Sequence, residues 1–172
     1  MELREVFDTR YSVRKFSDKE IDKEILNKVL DAGRIAPTAT NAQPQRIYVL
    51  QSKESLEKLD SVTPMRYGAN TVLMICCDMD IVWKNRREEG YNTADMDCSI
   101  VTTYMMLEAT NLGLGTLWVR AFNSVDMQKA FDLPENIKPI CIMPIGYKAD
   151  DCTPNENFHF SRNSLEDEVK YL

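Results

Sequence analysis

Seven consecutive residues constrain this chain more than any others. Thr71-Val-Leu-Met-Ile-Cys-Cys77 carries no charge and no polar alternation. A strand of that kind buries both faces, so the spacing predicts a central strand in a sheet covered on two sides. Around it the pattern alternates between helices and short strands. A short helix is predicted over 2–8. A second begins between Asp18 and Asp22, with Ser17 and Glu20 as its capping box; it carries Ile21, Ile25, Val29 and Leu30 at helical spacing and ends at Pro37. Arg46 to Leu50 reads as a strand, and Ser52 caps a helix to about Leu59.

A helical turn plus loop is predicted over 83–91. A long helix then runs from Thr93 to Leu112, with Asp95 and Asp97 at its positive dipole end and Met96, Ile100, Tyr104, Leu107 and Ala109 on its apolar face. Gly113 stops it. A third strand over 116–121, a helix capped by Ser124 and ending before Pro134, and a fourth strand over 140–145 bounded by Pro139 and Pro144 complete the order. The tail over 152–172 shows no face that packs on its own chain. The mixture implies an α+β or α/β fold, a sheet covered by helices, in one domain over residues 1–172.

Composition excludes several function classes. With 21 basic and 27 acidic residues the chain carries −6, which argues against a nucleic-acid or anionic-membrane surface. His159 is the one histidine, so a multi-histidine metal site is excluded; its expected role is a hydrogen-bonded or exposed side chain. None of the five cysteines forms a C-x-x-C pair, which removes zinc ribbons and thioredoxin-type redox motifs. The vicinal Cys76 and Cys77 end the apolar run and read as small core hydrophobes. The N-terminus is charged from Glu2 and has no apolar signal segment, no stretch suits a membrane span, and the unpaired thiols fit a reducing, cytoplasmic setting.

Four segments could carry chemistry. In Arg10-Tyr-Ser-Val-Arg14 an extended backbone would point Arg10, Ser12 and Arg14 the same way, a grip for phosphate oxygens; the plainer reading is the solvated basic end of the first helix. Ala36-Pro-Thr-Ala-Thr-Asn-Ala-Gln-Pro44 offers amides and hydroxyls that could clasp the edge of a planar heteroaromatic, or form an ordinary turn. Asn111-Leu-Gly-Leu-Gly-Thr-Leu-Trp118 places its glycines after a helix and before a strand, the reverse of a dinucleotide fingerprint, so a helix cap and tight turn explain them. Arg162-Asn-Ser-Leu-Glu166 stands alone in the tail.

In that order the four segments resemble the motifs of the nitroreductase family of flavin mononucleotide (FMN) oxidoreductases. Arg10-Tyr-Ser-Val-Arg-Lys-Phe16 is similar to the family's R-R-S-x-R-x-F opening, and 36–44 to its A-P-S-x-x-N-x-Q-P loop. The long helix with Gly113-Leu-Gly-Thr-Leu-Trp118 is similar to its G-L-G-T/S-x-W turn, and Arg162-Asn-Ser-Leu-Glu to its terminal R-K-P-L-E. The resemblance implies a mostly antiparallel sheet covered by helices, an intertwined homodimer, and FMN at the subunit seam. Arg10, Tyr11, Ser12, Arg14 and Arg162 would hold the phosphate and ribityl chain. Pro37, Thr38, Ala39, Asn41 and Gln43 would contact the flavin, supplied by the other subunit. Trp118, Val119, Arg120 and Ala121 would lie along the ring, with a backbone N–H facing N5, and Arg66 would add positive charge.

NADH or NADPH would deliver hydride, and a nitroaromatic, quinone or similar small planar acceptor would take the electrons by a ping-pong reaction in which the flavin, not a side chain, carries the chemistry. Residues 84–92 would shape the cleft. The same scaffold could serve reductive dehalogenation, flavin fragmentation or a flavin carrier. Three positions depart from the family pattern: Gln45 replaces an aromatic, Arg120 a glycine, and Asn163-Ser164 a Lys-Pro pair.

Overall fold

The computed structural model describes residues 1–172. Four antiparallel strands form one sheet in the order β1-β2-β4-β3: β1 (Gln45–Leu50), β2 (Thr71–Asp78), β3 (Gly115–Thr116) and β4 (Ile137–Gly146). β2 is central and buried at every position, as its apolar run requires. Alternate residues feed two cores. Leu73, Ile75 and Cys77 face one cluster, and Val72, Met74 and Cys76 face the other. The first core is closed by α2 (Lys23–Arg34) and α4 (Ala94–Asn111), the second by α3 (Lys53–Val62), α5 (Ser124–Ala130) and the segment around Val13. The vicinal cysteines therefore lie on opposite sides of the sheet, both fully buried and both free thiols.

β4 runs further than 140–145 and passes through both prolines. Register skips Ile140 between Cys141 and Pro139, and this bulge accommodates a residue with no N–H to donate. Pro144 has the opposite effect on its neighbour. It accepts from Leu117 N–H (3.1 Å) but has nothing to return, so β3 ends at Thr116 instead of reaching Ala121. The chain rejoins β4 through one bridge, Val119 to Ile142.

Helix boundaries follow their caps. Ser17 does not cap α2: its N–H is held by Tyr147 O (2.9 Å) while Phe16 bridges Lys148, so the backbone there is extended. Asp22 caps instead, accepting from Glu24 N–H (2.7 Å). Ser52 caps α3 as expected, through Ser55 N–H (3.1 Å). Asn123, not Ser124, caps α5 and accepts two N–H groups. α4 ends in a Schellman motif, with Leu114 N–H on Ala109 O (2.8 Å), Gly113 N–H on Thr110 O (3.0 Å) and Gly113 at φ +81°. Residues 83–91 hold no helical turn; they form a loop closed by the Lys84–Asn92 bridge and by Asn85 N–H on Tyr91 O (3.0 Å).

The largest departure concerns α4. Met96 and Tyr104 are exposed, and the side that enters the core carries Cys98, Val101, Met105 and Ala109. The exposed side lies beside α1 (Leu3–Thr9) in a groove of about 490 Å3 lined by Met1, Leu3, Ile35, Tyr104 and Leu107. The tail holds two single-turn helices, α6 (Glu156–His159) and α7 (Leu165–Glu168), and leaves Phe158, Phe160, Leu165 and Tyr171 exposed. No helix is long and apolar enough to cross a membrane.

Candidate functional site

Val13 fixes the first half of the site. Its side chain is buried against Gly115, where a Cβ would stand 2.6 Å from Val13 Cγ2, so the glycine lets this segment lie against β3. Val13 N–H donates to Thr116 O (2.9 Å), and Ser12 bridges Thr116 in parallel. With Val13 turned inward, Arg10, Ser12 and Arg14 turn outward, as an extended backbone requires. They line one cavity of about 70 Å3, whose opposite wall is the tail: Asn155, Phe158, His159 and Arg162.

The tail is held there by Tyr11. Its hydroxyl donates to Cys152 O (2.8 Å), and its ring meets His159 edge-on at 6.0 Å. Burial, followed by the neighbouring Cys152 side chain, pushes the Tyr11 hydroxyl up to about 12. Arg162 donates to Phe158 O (3.2 Å), which ties it to the end of α6. Lys148 Nζ lies 5.2 Å from the Tyr11 ring centroid.

The electrostatics of this cavity are unusual for an acidic chain. Arg10, Arg14 and Arg162 make no ion pair, although the chain has 27 carboxylate side chains to offer. Three guanidinium groups around so small a cavity repel one another unless an anion joins them. The Ser12 hydroxyl also makes no hydrogen bond within the chain. The donor set suits a phosphate group: forked N–H groups, a hydroxyl and no competing carboxylate. Asn155, Phe158 and His159 join this wall without a motif in the sequence to mark them; the one trace is an Asn three residues before Phe158, whose N–H it caps at 3.2 Å.

The second half of the site is the loop after α2. Asp97, 1% exposed in the first turn of α4, accepts Ala39 N–H through Oδ1 (2.8 Å) and the Thr93 hydroxyl through Oδ2 (2.7 Å). Thr93 N–H in turn donates to Trp83 O (3.1 Å). One buried carboxylate thus clamps three segments together, a role beyond the helix-dipole effect its position suggests. The loop it holds is bent tightly: Thr40, Asn41 and Gln43 have φ of 51°, 57° and 52°. Gln43 N–H donates to Thr38 Oγ1 (3.0 Å) and Gln43 Nε2 to Asn41 O (3.1 Å), while Pro37 stands exposed. Thr40 lines a cleft with Trp83, Lys84, Arg86 and Arg87, a different one from the arginine cavity.

The third segment divides. Val119 is buried, and both its backbone groups are paired with Ile142 (2.9 and 3.0 Å), so its N–H is not available to a ligand. The N–H groups of Trp118, Arg120 and Ala121 have no partner in the chain. Arg120 folds onto its own loop, donating to Phe122 O (3.0 Å) and Ser124 Oγ (2.9 Å) with its guanidinium 4.8 Å from the Phe122 ring centroid. Arg66, expected to add positive charge, is already paired. It forms a two-pronged pair with Asp60 (2.7 and 2.9 Å), which raises its own proton affinity, and it also donates to Ala69 O (3.0 Å). No cluster of three or more His, Cys, Asp or Glu side chains is placed to hold a metal ion.

Comparison with known proteins identifies the family and the fold. The family model described as "Nitroreductase family" matches residues 8–64 and 63–147. A protein of Methanothermobacter thermautotrophicus whose name couples NADH dehydrogenase with NAD(P)H nitroreductase is 31% identical over 96% of this chain and 87% of its own. The crystal structure of a nitroreductase family protein from Clostridium difficile 630 superposes with a TM-score of 0.92 at 41% identity, covering 99% of this chain and 98% of that one. A nitroreductase of Exiguobacterium sibiricum solved in complex with FMN shares the fold at a TM-score of 0.84 and 18% identity, over 100% of this chain and 98% of its own.

Proposed function

This chain belongs to the nitroreductase family, and from that premise we propose how its residues serve an NAD(P)H-dependent FMN oxidoreductase. The observation that carries the proposal is the small cavity where Arg10, Arg14 and Arg162 meet without a carboxylate. Their guanidinium groups, with Ser12, hold the phosphate of FMN. Tyr11 keeps the tail, and with it Arg162, in place through Cys152. Pro37, Thr38, Ala39, Asn41 and Gln43 border the ring, on a loop that Asp97 makes rigid. The unpartnered N–H groups of Trp118, Arg120 and Ala121 are the donors available to its polar edge.

FMN, when bound, supplies two-electron chemistry that no side chain of this protein offers. Residues of the chain bind, orient and limit access; no side-chain acid or base is assigned. NADH or NADPH and a nitroaromatic, quinone or similar planar acceptor use the same position in turn, a ping-pong scheme. Residues 1–172 act as one FMN-binding domain.

The arginine cavity and the Pro37 loop line different clefts of one chain, which supports a homodimer in which each site draws on both subunits. The exposed apolar side of α4 and its groove beside α1 support the same assembly, because an apolar face this continuous favours burial against a second copy. The five free thiols suit a cytoplasmic protein.

An absorbance spectrum of the purified protein, followed by anaerobic titration with each nicotinamide, tests the reading. It predicts a yellow protein that at least one of NADH and NADPH bleaches within turnover time. A yellow protein reduced only very slowly by both would indicate a carrier, and a colourless one that binds no added FMN would reject the proposal.

A further inference from the structure

The loop over 83–92 reverses the charge of the molecule locally. Lys84, Arg86 and Arg87 line a cleft of about 1050 Å3 together with Thr40, Trp83 and Asp80. Three cations face one carboxylate there, in a chain whose net charge is −6. None of the three makes an ion pair, although Glu88 and Glu89 follow directly in the same turn.

The loop is also held in a defined shape. Asn85 N–H reaches Tyr91 O (3.0 Å), Arg87 N–H reaches Asn85 Oδ1 (3.0 Å), and Ala94 N–H reaches Asn92 Oδ1 (3.0 Å). Through Trp83 O and Thr93 it is clamped to Asp97, the residue that holds the Ala39 loop. The backbone that carries the cations is therefore held beside Thr40, and the half-buried Trp83 gives the cleft an aromatic wall. An aromatic face flanked by forked N–H donors suits a planar molecule that carries an oxyanion.

We propose that this turn selects the exchangeable substrate, with Lys84, Arg86 and Arg87 engaging a phosphate or carboxylate carried by the planar donor or acceptor. The proposal rests on the flavin oxidoreductase reading above. Two sources offer that chemistry: the 2′-phosphate that distinguishes NADPH from NADH, and the carboxylate of an acidic acceptor. FMN-loaded protein separates them. In one arm, calorimetric titration compares NADP+ with NAD+; in the other, kcat/KM compares 4-nitrobenzoate with 4-nitrobenzamide.

The wild type is expected to favour the anion by about tenfold or more in at least one arm, the scale of one charge-assisted contact. The Arg86→Ala/Arg87→Ala protein is expected to bring that ratio within about twofold of unity while its bound FMN absorbance equals that of the wild type. The arm that collapses identifies the source. If the double variant does not fold, the wild-type ratio measured in about 0.5 M salt serves instead, since an exposed cationic site is screened there. A yellow protein whose two ratios stay the same in variant or in salt overturns this proposal alone. A colourless protein overturns the flavin reading, and this inference with it.

Discussion

Tyr104 and Met105 are neighbours on α4 and have opposite environments. Met105 is 0% exposed in the core between α2 and the sheet; Tyr104 is 41% exposed on the other side of the same helix. A helix apolar on both sides asks for cover on both, and the chain supplies only one. The arginine cavity shows the same incompleteness in polar form. Met105 belongs to a contiguous buried cluster, whereas Arg10, Arg14 and Arg162 converge with no carboxylate to pair them. The apolar face and the cluster of charges are the two features on which the proposed dimer and the proposed phosphate grip rest.

The contrast can be broken most directly at that pair. Met105→Ala should cost about 2–5 kcal/mol of stability by cavity formation, at any protein concentration. Tyr104→Ala should leave a dilute sample nearly as stable, yet shift sedimentation from dimer toward monomer. Equal losses from the two substitutions, measured by chemical denaturation, would remove the distinction between covered and uncovered sides.

Core and cavity meet at Gly115, where a methyl group would press on Val13. Gly115→Ala should destabilise the fold by about 1–3 kcal/mol through overpacking. It should also weaken FMN binding, because Val13 sits between Ser12 and Arg14. A stability loss with unaltered FMN affinity in a fluorescence titration would uncouple the two regions. Arg14→Ala acts on the cavity alone. It should weaken FMN about tenfold or more, as expected for one charge-assisted contact with phosphate, and leave the melting temperature of FMN-free protein within a few degrees. Unchanged FMN affinity would contradict the phosphate role.

The thiols sharpen the comparison further. Burial pushes Cys76 up to about 12 and Cys141 up to about 11; the contact between Cys98 and Cys77 raises Cys98 and lowers Cys77, which its full burial alone protects. At pH 8 a disulfide reagent should modify one thiol quickly, Cys152 in the tail, and the other four only as the protein unfolds.

The smallest effect is expected at Tyr11. Its proton is held more tightly in the folded chain than in the unfolded one, so its contribution to stability is complete below pH 10 and fades as pH rises from 10 toward about 12. Denaturation midpoints should fall over that window in the wild type and fall less in Tyr11→Phe, which has no proton to lose. A parallel decline in both proteins would assign the effect elsewhere.

Much of this site was legible in the sequence because local chemistry fixed it. Arg10, Ser12 and Arg14 share a side since an extended backbone alternates around Val13, and Arg162 was recognisable only by its place in an ordered series of motifs. Asn155, Phe158 and His159 were not legible, because a tail with no periodic face gives no indication of where it docks. Sequence position gives Asp97 only a dipole effect; its role as a clamp depends on Ala39, 58 residues away. The pairing of Arg66 was not legible either, because Asp60 reaches both its prongs only in the folded chain.

The sequence by itself determined the burial of β2, the stop at Gly113 and the cap at Ser52, each decided by covalent preference or a few adjacent residues. Tertiary structure alone decided which side of α4 enters the core, why Asp22 replaces Ser17 as a cap, and how β4 carries Pro139 through a bulge. Those choices turn on what the rest of the chain brings alongside, and a backbone group can satisfy only one partner at a time.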